Sequence, residues 1–313
     1  RKTAMHQTLA KRRYRNPLEV GDAANGILNV FMALLALACV LPVLLIYVAS
    51  FTAEQAITQN GISLFPQKWS LEAYRMIFND SQQIRDAYFI SGTLTVLGTI
   101  LGLWIMTMYA FAIARKEFKL RRVLTFYAYF TMLFSGGMVS SYIINTTIFG
   151  LRNSYWVLLL PGLCGAYNVI ILRTFFSSAG TESLIEAAKI DGASEFRLYW
   201  QIILPISKPA LATIGLFTAI AYFSKWFDVM LYIDSRKLYT VQYVIMRVMK
   251  DIQFLRDNPE LTMSEQGLEM LANLPNESAK MALTVIAMTP VLAFYPFFQR
   301  YFVKGLTLGA IKG

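Results

Sequence analysis

Charge, cysteine and histidine are scarce in this 313-residue chain, and each shortage closes off a class of activity. Only 15% of its residues are charged against 56% hydrophobic, and the mean hydropathy is +0.47. Ordinary soluble domains carry about 25% charged residues, so the composition excludes a soluble surface and defines a polytopic membrane protein. The two cysteines, Cys39 and Cys164, fall in apolar segments and read as small buried hydrophobes; there is no disulfide framework and no zinc spacing. His6, the single histidine, lies in a basic tail without a second ligand and reads as solvated. No phosphate loop of the form Gly-x-x-x-x-Gly-Lys-Ser/Thr occurs, nor a His-Glu-x-x-His helix, nor a Gly-x-Ser-x-Gly elbow. No catalytic or metal-binding residue is therefore assigned, and any nucleotide hydrolysis is expected from a partner.

What the chain does have is apolar length. A span needs about 20 mostly apolar residues to cross about 30 Å of hydrocarbon. Segments 27–50, 87–114 and 123–151 qualify without a charge, and the third contains Gly136-Gly137 and Asn145-Thr146-Thr147, which predict a kinked course. Segments 154–172, 210–233 and 281–298 complete six spans. The formal net charge of +10 reads as topology rather than nucleic-acid binding. Arg1, Lys2, Lys11, Arg12, Arg13 and Arg15 in the tail, and Arg115, Lys116, Lys119, Arg121 and Arg122 after the second span, place both on the cytoplasmic side. The even span count then puts both termini and segment 175–208 inside, and segments 52–86 and 234–278 outside. The first apolar run is too long for a cleavable signal and reads as an uncleaved span.

The cytoplasmic segment predicts two short helices at a sharp angle. Ser183 and Glu186 have capping-box spacing, Ala187 and Ala188 keep a slim profile, and Asp191-Gly192 is a turn signal. Ser194 caps a second helix, on which Phe196, Tyr199, Trp200 and Ile203 form one apolar face, and Pro205 ends it near the membrane. The product is a rigid knob beneath the bilayer.

Glu186-Ala187-Ala188, Gly192 and Ile202-x-Leu204-Pro205 resemble the EAA loop of binding-protein-dependent ABC importer permeases, with the spacing kept throughout. Phe134-Ser135-Gly136-Gly137-Met138, Asn153-Ser154-Tyr155-Trp156, Leu160-Pro161-Gly162, Trp226-Phe227-Asp228 and the closing 305–313 are similar to the MalG-like and LplC-like carbohydrate branch. The resemblance covers nearly all of residues 25–313. It implies an all-α, six-span permease of the type I importer fold in a bacterial cytoplasmic (inner) membrane. A basic tail (1–24) would precede a permease domain (25–303) carrying the coupling loop (181–209) and an outer loop (234–278), and a cytoplasmic tail (304–313) would follow. It also implies a heteromeric complex with a second permease subunit, two ATPase subunits that bind ATP and Mg, an extracytoplasmic solute-binding protein and an oligosaccharide substrate. This chain itself would hold no cofactor. Coupling to the ATPase would fall to Glu186, Ala187, Ala188, Asp191, Gly192, Ala193, Leu204 and Pro205. The outer loop would reach the binding protein, with Pro259 and Pro275 stiffening it, and the C-terminal tail would enter the ATPase dimer interface.

The substrate path has fewer signals. Lys225 and Asp228, three apart on the fifth span, are intramembrane charges, and such charges are functional candidates by default. They can equally form a mutually satisfied pair near the outer interface. Tyr222 and Trp226 add stacking surface to that group. An acidic sugar such as alginate would suit Lys225 together with Arg236, Lys237, Arg247 and Lys250, although acids follow closely. Gly98 and Gly102 form a Gly-x-x-x-Gly pair that predicts close helix packing. An ion-coupled secondary transporter, an importer for another solute class and an intramembrane enzyme are the alternatives. Neither the secondary transporter nor the enzyme accounts for the cytoplasmic knob.

Overall fold

A computed structural model describes residues 22–79, 82–258 and 277–310. Helix α1 (Asp22–Ser50) carries the first apolar run. Two short helices, α2 (Glu54–Asn60) and α3 (Glu72–Asn79), follow a turn pinned by a Thr52–Trp69 bridge. Helix α4 (Gln82–Ala114) is 33 residues long, about 50 Å at 1.5 Å per residue, and exceeds a hydrocarbon core. Then come α5 (Arg121–Leu133), α6 (Gly137–Ile143), α7 (Tyr155–Leu159) and α8 (Ala166–Phe176). Helices α9 (Ala179–Ile190), α10 (Glu195–Arg197) and α11 (Leu204–Ile206) lead into α12 (Lys208–Phe223). The chain continues through α13 (Trp226–Tyr232) and α14 (Val241–Asp257) to α15 (Glu277–Ala310).

Among the described residues, four stretches are long and apolar enough to cross a membrane: 24–50, 82–114, 155–176 and 277–296. Two bent pairs, 121–133 with 137–148 and 195–206 with 208–223, bring the number to six if each pair is one span. The expected kink at Gly136-Gly137 is a 115° bend, and Gly137 takes a left-handed φ of 78° that a side chain would resist. Asn145-Thr146-Thr147 lies in a π turn over Ile144–Ile148.

Helix α4 is the central strut, with α8 and α12 packed along it. One apolar cluster gathers Leu94, Leu158, Leu159, Tyr222 and Val229 around the first half of α4. A second gathers Met106, Ile113, Leu172, Phe176, Leu198 and Ile214 around its last turns. The glycine pair makes this packing possible. A Cβ on Gly98 would fall 2.5 Å from the Tyr222 ring, and one on Gly102 would fall 3.2 Å from the Leu163 carbonyl oxygen. The close approach expected of Gly98 and Gly102 is thus what the fold uses.

Several expectations need correction. The fifth span is not one helix through Ile233: α12 stops at Phe223, and α13 starts only at Trp226. The outer segment contains a helix, Val241–Asp257; Pro259 and Pro275 lie outside the described residues, as do His6 and the tail 1–21. Helix α15 runs on to Ala310. Cys39 and Cys164 are exposed rather than buried. In a bilayer, lipid or a partner subunit can take an outward apolar face, so hydrophobicity does not report burial in the core.

The packing generates a stability test. Gly98→Ala drives a methyl into the Tyr222 ring, an overpacking that costs about 1–3 kcal/mol. Thermal unfolding of the detergent-purified protein will fall accordingly, and Tyr222→Leu in the same chain will recover part of the loss. Gly92→Ala is the control, since nothing lies within 4 Å of its Cβ position. Equal melting of the Gly98→Ala and Gly92→Ala proteins would contradict the packing.

Candidate functional site

The loop after α8 folds as a knob because its backbone closes on itself. Gly192 has a left-handed φ of 77°, its N–H donates to the Lys189 carbonyl at 3.0 Å, and the Ala193 N–H donates to the Ala188 carbonyl at 2.9 Å. Those two bonds are a Schellman closure of α9, and Ala188 and Ala193 both pack against the apolar cluster beneath it. Nothing lies within 4 Å of a Cβ built on Gly192, so conformation rather than space demands glycine there. Ser194 then caps the next helix, accepting from the Arg197 N–H at 3.4 Å.

Three sequence readings of the knob are corrected. Helix α9 starts a turn earlier than the Ser183–Glu186 box, at Ala179 behind the extended Ser178, and Ser183 donates to the Gly180 carbonyl instead. The extra turn buries Thr181 beneath the knob. The second helix does not present Phe196, Tyr199, Trp200 and Ile203 on one face: Leu198, Tyr199 and Ile203 are buried, while Phe196 and Trp200 are exposed. A π turn over Leu198–Ile203 inserts an extra residue and rotates the faces that a 3.6 repeat predicts. Pro205 sits inside the first turn of α11 rather than ending the helix. The 79° bend falls at Ser207, where Pro209 lacks the N–H that would continue the ladder and instead occupies the first turn of α12.

Glu186, Ala187, Asp191, Gly192 and Pro205 are exposed; Ala188, Ala193 and Leu204 are half-buried. Ile190 is 87% exposed at the tip, and Leu184 is exposed further back on the same helix. Beneath this surface the knob is rooted in the bundle. The Tyr199 hydroxyl lies 2.8 Å from the Thr107 hydroxyl of α4, in a buried contact. Charged residues brace the flank: Arg115 reaches Glu195 at 3.1 Å, Lys189 reaches Glu117 at 2.6 Å, and Lys116 pairs with Glu182. The Lys189 bond holds the Glu117 carboxyl below its ordinary range. Its contribution is therefore complete at neutral pH and is lost only as pH falls through that lowered value.

A second feature lies where α12 breaks. Tyr222 is buried, and its hydroxyl donates to the Leu159 carbonyl at 2.7 Å. It is therefore a support and not the open stacking surface that the sequence proposes. Lys225 has φ −74° and ψ 60°, and the Trp226 N–H bonds to the Ser224 carbonyl at 2.8 Å: an inverse γ-turn. The Lys225 ammonium meets Asp228 at 2.6 Å and lies 5.1 Å from the Tyr222 ring centroid. Lys225 and Asp228 thus pair across a helix start instead of along a continuous helix. Both line a cleft of about 440 Å³ together with Gly162, Asn168, Ser224 and Phe227. Trp226 stacks edge-on against Phe227, 5.6 Å between centroids, and does not line that cleft.

Some supporting residues carry no signal in the sequence. Asn153 adopts φ 54° and accepts from the Asp234 and Ser235 N–H groups, which fixes the turn after α13. Thr240 donates to the Lys225 carbonyl, and Asn168 lines the same cleft as the charged pair. Only the quoted Asn153-Ser154-Tyr155-Trp156 signature contains such a position.

Helical bundle, breaks and knob together define a membrane permease component. The family described as binding-protein-dependent transport system inner membrane component matches residues 98–308, and the chain belongs to it. It is 36% identical over 283 residues to the polygalacturonan/rhamnogalacturonan transport system permease protein YtcP of Bacillus subtilis (strain 168), covering 90% of this chain and 96% of that protein. Protein LplC of the same organism is 36% identical over 274 residues, 88% of this chain and 90% of its own length. Among solved structures, a bacterial ABC transporter involved in the import of the acidic polysaccharide alginate aligns with a TM-score of 0.75 at 28% identity, over 92% of this chain and 100% of the matched one.

The Schellman closure is directly testable. Gly192→Ala forces a side chain into the left-handed region at a cost of about 1–2 kcal/mol. Hydrogen exchange of amides 179–197 will accelerate by about 5–30-fold, and Gly192→Asn, which tolerates that conformation, will lie near wild type. Unchanged exchange in the alanine protein would remove the conformational role of Gly192.

Proposed function

We propose that this chain is one transmembrane half of an ATP-driven, binding-protein-dependent importer that carries acidic oligosaccharides into the cytoplasm. The observation that carries the reading is the knob: an exposed helix–turn–helix with the Glu186-Ala187-Ala188…Gly192 spacing, closed by its own backbone and rooted on α4 through Tyr199. A slim, rigid protrusion with an apolar tip suits a cleft on a separate ATPase subunit. In this reading Glu186, Ala187, Ala188, Asp191, Gly192 and Ala193 meet that subunit, and Leu204 and Pro205 pass its motion to α12. The knob end is the cytoplasmic one, in keeping with the basic turn beside it. A second permease subunit completes the pathway, and the end bearing α14 receives the solute-binding protein.

Substrate class rests on two supports. The YtcP name specifies polygalacturonan and rhamnogalacturonan, and the structural neighbour serves alginate. In this chain the Lys225 ammonium borders an open cleft, held by Asp228, whose side chain is 37% exposed. A uronate carboxylate would compete for the same cation.

Reconstitution tests both parts. In liposomes holding the permease pair, the ATPase subunits and the binding protein, galacturonate or alginate oligomers will stimulate ATP hydrolysis and neutral maltodextrins will not. Glu186→Ala and Gly192→Ala will lower the stimulated rate by on the order of tenfold, the loss expected of about 1.4 kcal/mol at a docking contact. Stimulation by maltodextrins alone would overturn the acidic-sugar assignment. Full stimulation in both knob variants would overturn the coupling role.

A further inference from the structure

We propose that the basic cleft between the start of α5 and the end of α8 holds the headgroup of an anionic phospholipid. Lys119, Arg121 and Arg122 from the turn and first residues of α5, and Arg173 from the last turn of α8, converge on a cleft of about 730 Å³. That volume is within the usual range of small-molecule sites, about 300–1,000 Å³. The neighbouring charges are already engaged, Lys116 with Glu182 and Glu117 with Lys189 and Arg115. Among the described residues, the other four cations form no ion pair. The Arg173 Nε is buried without a hydrogen-bond partner. A shielded guanidinium donor is costly unless an acceptor reaches it.

The rest of the lining distinguishes a lipid from a free anion. Phe126 and Tyr129 form one wall, and exposed Val123, Phe130 and Leu133 continue the apolar surface along α5. An acyl chain can follow that surface while its phosphate meets the cations. No side chain caps α5, and although the Arg121 N–H is taken by the Phe118 carbonyl, the positive end of the helix dipole still favours a phosphate there. Charge placement for membrane topology requires basic residues near a span but does not require convergence. Arg173, from a different helix some fifty residues onward, converts a basic turn into a cleft. Basic pockets between spanning helices are where anionic headgroups bind.

The delipidated full-length protein, purified with the subunits it retains, is titrated with phosphatidylglycerol, phosphatidylcholine and inorganic phosphate and read by native mass spectrometry. Phosphatidylglycerol adducts will exceed phosphatidylcholine adducts, and inorganic phosphate will not displace them. Lys119→Gln with Arg122→Gln, both at exposed positions and checked by size-exclusion chromatography, will cut the preference on the order of tenfold. Arg173→Lys keeps the charge but loses the buried Nε donor, and it will weaken binding less. Equal adducts of the two lipids, or an unaltered preference in the double variant, would overturn the proposal. So would complete displacement by inorganic phosphate, which would make the cleft a free-anion site. A double variant that keeps its lipid preference but sheds a retained subunit would assign the cleft to protein docking.

Discussion

Hydrocarbon offers no partner to a free peptide group, so every place where this chain leaves a helix must be answered by another part of the protein. The Leu159 carbonyl shows how. The Leu163 N–H that would reach it in an α-helix bonds to Leu160 instead, in the tight turn around Pro161, and the Tyr222 hydroxyl takes the vacated role. That phenol arrives only because Gly98 presents no side chain to its ring. A bare Cα on α4, a tyrosine on α12 and a broken helix between α7 and α8 are therefore one device. The γ-turn at Lys225 is handled alike: Thr240 donates to its carbonyl and also accepts from the Tyr243 N–H to cap α14. The charged cleft sits among these satisfied breaks, which is why it can hold an ion pair without loosening the helices around it.

The knob obeys the same rule at the other end of α4, where its closure is made by backbone and its attachment by buried contacts. Ile185, Leu198 and Ile203 join the cluster around Ile113 and Phe176, and the Tyr199–Thr107 hydrogen bond lies within that apolar root. The ion pairs on the flank act differently. Exposed pairs contribute about 0–1 kcal/mol each, so they do not hold the knob in place. Arg115 and Lys189 share Glu117 and Glu195 between them, so the flank charges neutralise one another beside a knob that the buried contacts hold.

Sequence and structure agree where one local rule decides the outcome. Hydrophobic length located the four long apolar helices, Gly136-Gly137 located a bend, Asp191-Gly192 located the turn, Ser194 located a cap, and Gly98 with Gly102 located a close helix contact. They part where tertiary packing overrides the local rule. The capping box at Ser183 lost to an extra helical turn that buries Thr181. The expected face of Phe196 and Trp200 was turned outward by a π turn, which no periodicity reveals. Tyr222 carried an aromatic signal suited to a sugar, but its role is set by a carbonyl 63 residues earlier, and only the fold brings the two together. Lys225 and Asp228 were legible as a charged pair but not as the two ends of a helix break, because Ser224 carries no breaker signal of its own.

Helix α12 links the two ends of the molecule, and its fit against α4 decides what can pass between them. It starts at the Ser207 bend just after Leu204-Pro205 and ends at the Lys225 turn, a rod of sixteen residues or about 24 Å. Gly98, Gly102 and Gly215 bring the two helices so close that a Cβ at the first would overlap the Tyr222 ring. Sliding α12 along α4 would therefore drag that ring out of its slot and expose the Leu159 carbonyl, leaving a buried acceptor unpaired. A small continuous drift is thus disfavoured, whereas movement of α12 together with α4 keeps every one of these contacts. In the importer proposed above, displacement applied at the knob would be carried as motion of the packed pair, and the Lys225 end of α12 would move with it.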